Sequence, residues 1–148
     1  MATYTSNQVG RPPTASTMEV GAWIDSGKAT PTAALAINDV VVLLDVPAGV
    51  RLETLRFYGG DFDTGTTLQF SLGYRTKLPG GTATSATAFG SALTTLQAAT
   101  TTWQERVFEP VKFDEPVQIV ITVTAAATGV SGTPSVYAQA TGAMVGIT

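Results

Sequence analysis

Between Val40 and Tyr74 three apolar runs, VVVLLDV, VRLETLRF and LQFSLGY, are joined by two turn-forming links, and three consecutive antiparallel strands are the natural outcome. The first link, Pro47-Ala48-Gly49, combines a fixed φ near −65° with a residue free to take positive φ. The second, Gly59 to Gly65, is a longer loop of the same kind. Val40 to Leu44 is apolar on both alternating faces, as in a strand buried at the centre of a core or at a subunit seam. Val50 and Leu52 alternate with Arg51 and Glu53, but Leu55 and Phe57 resume the apolar set after a three-residue step. A bulge near Thr54 restores the register. Leu68, Phe70, Leu72 and Tyr74 then alternate strictly with more polar neighbours.

The flanking sequence extends the β pattern. A short strand is expected over Glu19–Ile24, anchored by Trp23 and ended by a turn at Asp25-Ser26-Gly27-Lys28. Ala34–Ile37 reads as extended chain, with a helical turn as the alternative. In Lys77–Thr101 the recurrence of Phe89, Leu93 and Leu96 at spacings of four and three suggests a short helix or a packed loop. Further strands are expected at Thr102–Phe108, with Trp103, Glu105 and Val107 on one side, at Val117–Thr124, and at Ser135–Ile147 with an interruption at Gly142. Some seven or eight strands at turn-separated intervals make an all-β protein, a two-sheet β-sandwich.

At 148 residues the chain suits one core, burying roughly two-thirds of its unfolded surface. Residues 19–148 are expected to form that single domain. Residues 1–18 are polar and proline-bearing and form an extended N-terminal arm, either a loose tail or a segment ordered on a neighbouring subunit. In the second case the contacts fall to Tyr4, Val9, Arg11, Pro12 and Pro13.

Charged residues are only 13% of the chain, about half the usual share, and the net charge is −3 without a basic run. That disfavours nucleic acid and anionic membranes as partners. The absence of Cys and His removes thiolate and imidazole, and with them His-dependent triads, cysteine nucleophiles, ordinary zinc sites and disulfides. No apolar leader core or membrane-length apolar run is visible, so synthesis and folding in a cytoplasm are expected.

Four constellations invite a chemical reading. Asp61-Phe62-Asp63-Thr64-Gly65 has the alternate carboxylates of a calcium loop, but Leu72 stands where the closing Glu belongs, so an Asx-capped turn is expected. A glycosidase-like carboxylate pair among Asp61, Asp63, Glu105 and Glu109 is no more than eleven scattered acids produce by chance. No cluster of exposed aromatic residues to bind a sugar ring stands out, and Trp23 and Trp103 are expected as core anchors rather than sugar platforms, as tryptophans in strands more often are. Leu78-Pro79-Gly80-Gly81 lacks the lysine of a phosphate loop and reads as a turn. No catalytic residue, cofactor, metal or small-molecule substrate is expected.

The order Asn38-Asp39-Val40 to Leu44, Val46-Pro47-Ala48-Gly49-Val50 to Leu55, Gly59-Gly60-Asp61-Phe62-Asp63 to Thr67, then Leu68 to Gly73-Tyr74 resembles capsid decoration (cement) proteins of tailed bacteriophages. The resemblance implies a jelly-roll-like sandwich, often a homotrimer, seated on the capsid exterior and clamping the major capsid protein of the same phage. It carries no catalytic residues. A carbohydrate-binding sandwich serving as a tail-associated receptor reader, or another tail or head-closure component, is the alternative.

Overall fold

The computed structural model describes residues 1–7, 9 and 21–146. Ten strands follow in chain order: β1 (Thr3–Thr5), β2 (Ala22–Ala29), β3 (Val40–Val46), β4 (Val50–Gly59), β5 (Gln69–Thr76), β6 (Ser85–Leu93), β7 (Gln104–Arg106), β8 (Val111–Lys112), β9 (Val117–Ala125) and β10 (Val136–Met144). One sheet runs β1-β3-β9-β5-β6 and the other β2-β10-β4-β7, with β8 also on β4. The chain changes sheet at every step except β5 to β6 and β7 to β8. That alternation makes the sandwich a jelly roll.

The organising stretch forms the three expected strands, β3, β4 and β5, but they do not pair with one another: β3 and β5 flank β9, while β4 lies in the opposite sheet. Their inward residues meet across the sandwich. Phe57 of β4 and Phe70 of β5 stand edge to face at 6.0 Å and 79°, an arrangement that adds about 1 kcal/mol to their burial. Val41, Leu44, Leu52, Leu72, Ile119 and Ile121 fill the same core. The bulge lies where the three-residue step placed it. Thr54 faces Thr141 and Leu52 faces Gly142, leaving Glu53 as the extra residue. Opposite it, a side chain at Gly142 would collide with the Arg51 backbone, which explains the glycine interruption in β10.

Several expectations are corrected. Of the strand expected over Glu19–Ile24, Glu19 and Val20 lie outside the described residues; β2 starts at Ala22 and, rather than turning, continues through Asp25-Ser26-Gly27-Lys28. Gly27 is a close-approach residue, not a turn residue: a Cβ there would lie 2.5 Å from the Leu43 carbonyl oxygen of β3. Phe89 and Leu93 belong to edge strand β6, and Leu96 to a 3-10 turn at Thr95–Gln97. A spacing of four fits a two-residue period as well as a helical one, so those positions were ambiguous by construction. Ala34–Ile37 is a loop in which both Asp39 carboxylate oxygens accept backbone N–H groups, from Ala2 at 2.6 Å and Ala36 at 2.9 Å. The strand expected over Thr102–Phe108 shrinks to Gln104–Arg106, and Val111–Lys112 adds a short strand that its flanking prolines had obscured.

The start of the chain is part of the sandwich. Thr3–Thr5 pairs in parallel with Val40–Val42. Ser6 donates its hydroxyl to Leu43 O at 2.5 Å, and Asn7 and Lys28 exchange two hydrogen bonds, Asn7 N to Lys28 O and Lys28 N to Asn7 Oδ1. Residues 2–7 thus stitch β3 of one sheet to β2 of the other and protect both edges.

Candidate functional site

The sheet-forming period of two places every second residue of β2, β10, β4 and β7 on the outer face, away from the core. Pairing then lines them up in rows. Lys28, Tyr137 and Tyr58 form one row; Ser26, Gln139, Arg56 and Glu105 the next; Ile24, Thr141 and Thr54 a third. The bulge at Glu53 sets the outward phase of β4, because without it Thr54, Arg56 and Tyr58 would point into the core.

Side chains on this face hold one another. Tyr58 and Tyr137 stack at 4.7 Å and 13°, and Trp103 meets Tyr58 edge-on at 4.6 Å and 90°. The Lys28 ammonium sits 5.5 Å from the Tyr137 ring and the Arg56 guanidinium 4.5 Å from the Trp103 ring. Arg56 Nε donates to Gln139 Oε1 at 2.7 Å, and its Nη2 donates to the same oxygen. Trp103 remains 37% exposed and Val107, just beyond β7, is 98% exposed. Two open depressions flank Gln139, one bounded by Ile24, Thr54, Arg56 and Glu105, the other by Ser26, Lys28, Tyr58 and Trp103.

The two tryptophans therefore part company. Trp23 is the anchor expected of it, 1% exposed in the core. Trp103 is a surface residue, and the expectation that it is buried is wrong. So is the view that aromatic residues do not cluster: Tyr58, Trp103 and Tyr137 are distant in sequence and adjacent in space. Only strand register brings them together, and the sequence does not display which strand lies beside which.

The Asp61–Gly65 loop carries the Asx capping expected of it. Asp63 is buried and accepts from the backbone N–H groups of Gly65, Thr67, Leu68 and Thr128 at 2.7–3.0 Å. Asp61 in turn accepts from Asp63 N at 3.0 Å. Burial alone would push the Asp63 carboxyl up, but those donors outweigh it and hold the group well below the ordinary carboxylate range. With its lone pairs aimed at N–H dipoles, the carboxylate holds the β4–β5 loop together and ties it to the loop after β9.

Of the expected partner-binding residues, Tyr4 packs against the protein's own core and Val9 against Val40, Val42 and Val120 on the outer face of the β3-containing sheet. Arg11, Pro12 and Pro13 lie outside the described residues.

The jelly-roll path, rather than any single residue, links the chain to known proteins. Its fold is that of chains in two phage capsids. A chain in the cyanophage Pam1 capsid asymmetric unit superposes with a TM-score of 0.65 and 23% sequence identity over 85% of this chain and 87% of that one. A chain in the capsid of Ralstonia phage GP4 gives a TM-score of 0.63 and 20% identity over 84% and 85%. No family model matches the sequence, and no curated protein sequence does.

Proposed function

We propose that the protein is a non-enzymatic virion structural protein of a tailed phage that binds the outer surface of the head and bridges major capsid subunits. The observation that carries this reading is the near full-length likeness to chains in two phage capsid assemblies. The early resemblance to decoration proteins, drawn from the turn and strand order over Val40–Tyr74, points the same way and supplies the finer role.

The physics of such a role asks for no reactive group. A protein that binds the assembled lattice better than loose subunits stabilises the lattice by its differential binding free energy, multiplied over many copies. A disulfide-free sandwich with its core filled and its N-terminal edges stitched is a suitable rigid body for that work. Homotrimers at three-fold positions would use heterologous, ring-closed contacts. The arm contributes through Arg11, Pro12 and Pro13, because Tyr4 and Val9 are already engaged on their own sandwich. The protein is made in the host cytoplasm and resides on the capsid exterior.

The test is saturable, stoichiometric binding of purified protein to heads that lack it, together with its detection in purified virions. Heads that ignore the protein contradict the proposal. Replacing Arg11-Pro12-Pro13 with Gly-Ser-Gly is expected to weaken head binding without changing the melting temperature; unchanged affinity removes the arm from the account.

The carbohydrate-reading alternative gains one observation, the Tyr58–Trp103–Tyr137 cluster. Its geometry works against sugar stacking. Tyr137 lies between Lys28 and Tyr58, so both of its ring faces are occupied, and Arg56 covers one face of Trp103. A glycan array with the purified protein is expected to be silent.

A further inference from the structure

The outer face of the β2-β10-β4-β7 sheet is built to hold a protein surface, and we infer that it is where this chain docks on an acidic patch of the head lattice. The inference deepens the proposed function and rests on it.

Composition is the first argument. Tyr, Trp and Arg dominate the energetic centres of protein interfaces, whereas Lys, Glu, Asp, Ser and Ala are depleted there relative to the rest of the surface. Here Tyr58, Tyr137, Trp103 and Arg56 adjoin one another in the middle of the face, with Ile24 and the fully exposed Val107 toward its borders. Scattered exposed apolar residues need no explanation, but a contiguous group on one sheet does.

Preorganisation is the second. Tyr58 and Tyr137 are stacked, Trp103 stands perpendicular to Tyr58, and Arg56 is fixed by the two hydrogen bonds it donates to Gln139. Side chains already locked lose little rotamer freedom when a partner arrives, which is where much of the cost of association lies. With Tyr58 and Lys28 against the Tyr137 ring and Arg56 over Trp103, ring faces are already taken, which suits contact with a protein surface better than stacking on the flat face of a sugar ring.

Charge selects the partner. Lys28 and Arg56 form no ion pair among the described residues, although the chain as a whole is acidic at −3. Glu105 is the cross-strand neighbour of Arg56 and the one carboxylate in these three rows; Glu53, at the bulge, is already paired with Arg51 at 2.6 Å. Two cations flanking the aromatic stack against one acid leave this face locally positive, complementary to carboxylates on the partner and repelled by basic surfaces.

The experiment measures co-sedimentation with heads lacking the protein, for wild type, Trp103→Ala, the double variant Lys28→Glu/Arg56→Glu, and Leu78→Ala as an exposed control remote from this sheet. Wild type and Leu78→Ala are expected to bind alike. Trp103→Ala is expected to lose about 10-fold in affinity and the charge reversal about 100-fold. Circular dichroism and melting temperature of each variant should match wild type, and wild-type affinity should fall with added salt. Heads that ignore wild type overturn the function and this inference with it. Heads that bind wild type and both face variants equally overturn the inference alone. A variant that binds poorly because its own oligomer has dissociated shows a second copy of the chain on this face, and that also overturns the inference.

Discussion

The two sheets of this sandwich treat their outer faces in opposite ways. On the β1-β3-β9-β5-β6 sheet the outward rows Val40-Thr122-Ser71 and Val42-Val120-Gly73 sit largely under cover, and Val9 of the chain's own N-terminal segment packs on the valines. The next row, Asp45-Gln118-Arg75, is satisfied internally: Gln118 donates to Asp45 at 3.1 Å, Arg75 to Gln118 at 3.0 Å, and Lys77 pairs with Asp45 at 2.9 Å. On the β2-β10-β4-β7 sheet the corresponding rows carry aromatic rings and cations that hold one another, with Trp103 still exposed and Lys28 and Arg56 in no ion pair among the described residues. A face whose groups are all satisfied within the chain contributes to stability. A face held rigid but left open is available for recognition.

That contrast can be broken in four ways, taken from the largest expected effect to the smallest. Val42→Asp on the covered face places a charge at a fully buried position and is expected to cost more than about 3 kcal/mol. Melting should fall by roughly 10 °C or more, and a small change would mean the face is not closed. Asp63→Ala removes the tie where the chain crosses from β4 to β5 and leaves four N–H groups, that of buried Leu68 among them, without their acceptor, at a cost of about 3 kcal/mol read by denaturant midpoint. Because its carboxyl is held low in the folded state, Asp63 contributes stability above the ordinary carboxylate range and loses it as pH falls through and below that range. The wild-type protein should therefore weaken toward acid more than the variant does.

Trp103→Ala on the open face is expected to change stability by less than about 1 kcal/mol, the usual size for a surface site; a loss like that of Val42→Asp would place Trp103 in the structural class. Smallest is Asp25→Asn. Asp25 faces inward on β2, and burial, with the nearby Asp45 charge adding to it, outweighs the Ser26 N–H and holds its carboxyl above the ordinary range. Its favourable contribution is present in full below the ordinary carboxylate range and lost as pH rises through the raised value. The neutral amide should thus give a small gain in melting temperature at neutral pH and none in acid; a loss at neutral pH would show that the ionised group is satisfied.

Much of the scaffold was legible because it follows from local chemistry. The three-residue step between Leu52 and Leu55 located the bulge, the apolar run at Val40 located a strand buried on both faces, and Asp-x-Asp followed by Gly65 located a capped loop. Long-range properties were hidden. Gly27 reads as a turn residue until β3 is seen pressing on it. Thr3–Thr5 shows no apolar periodicity, because a parallel edge strand of three residues is held by backbone hydrogen bonds that any side chain permits. The candidate docking face was the least visible, since Tyr58, Trp103 and Tyr137 become neighbours only through the register of β4, β7 and β10.

The contrast between a closed and an open face is tested most directly by a cryo-electron microscopy reconstruction of heads bearing the bound protein. Tyr58, Trp103, Tyr137 and Arg56 are expected to lie in side-chain contact with the shell, and the face bearing Val42 and Val120 to point elsewhere. A reconstruction in which the β2-β10-β4-β7 face is turned to solvent while the opposite sheet meets the shell would contradict it.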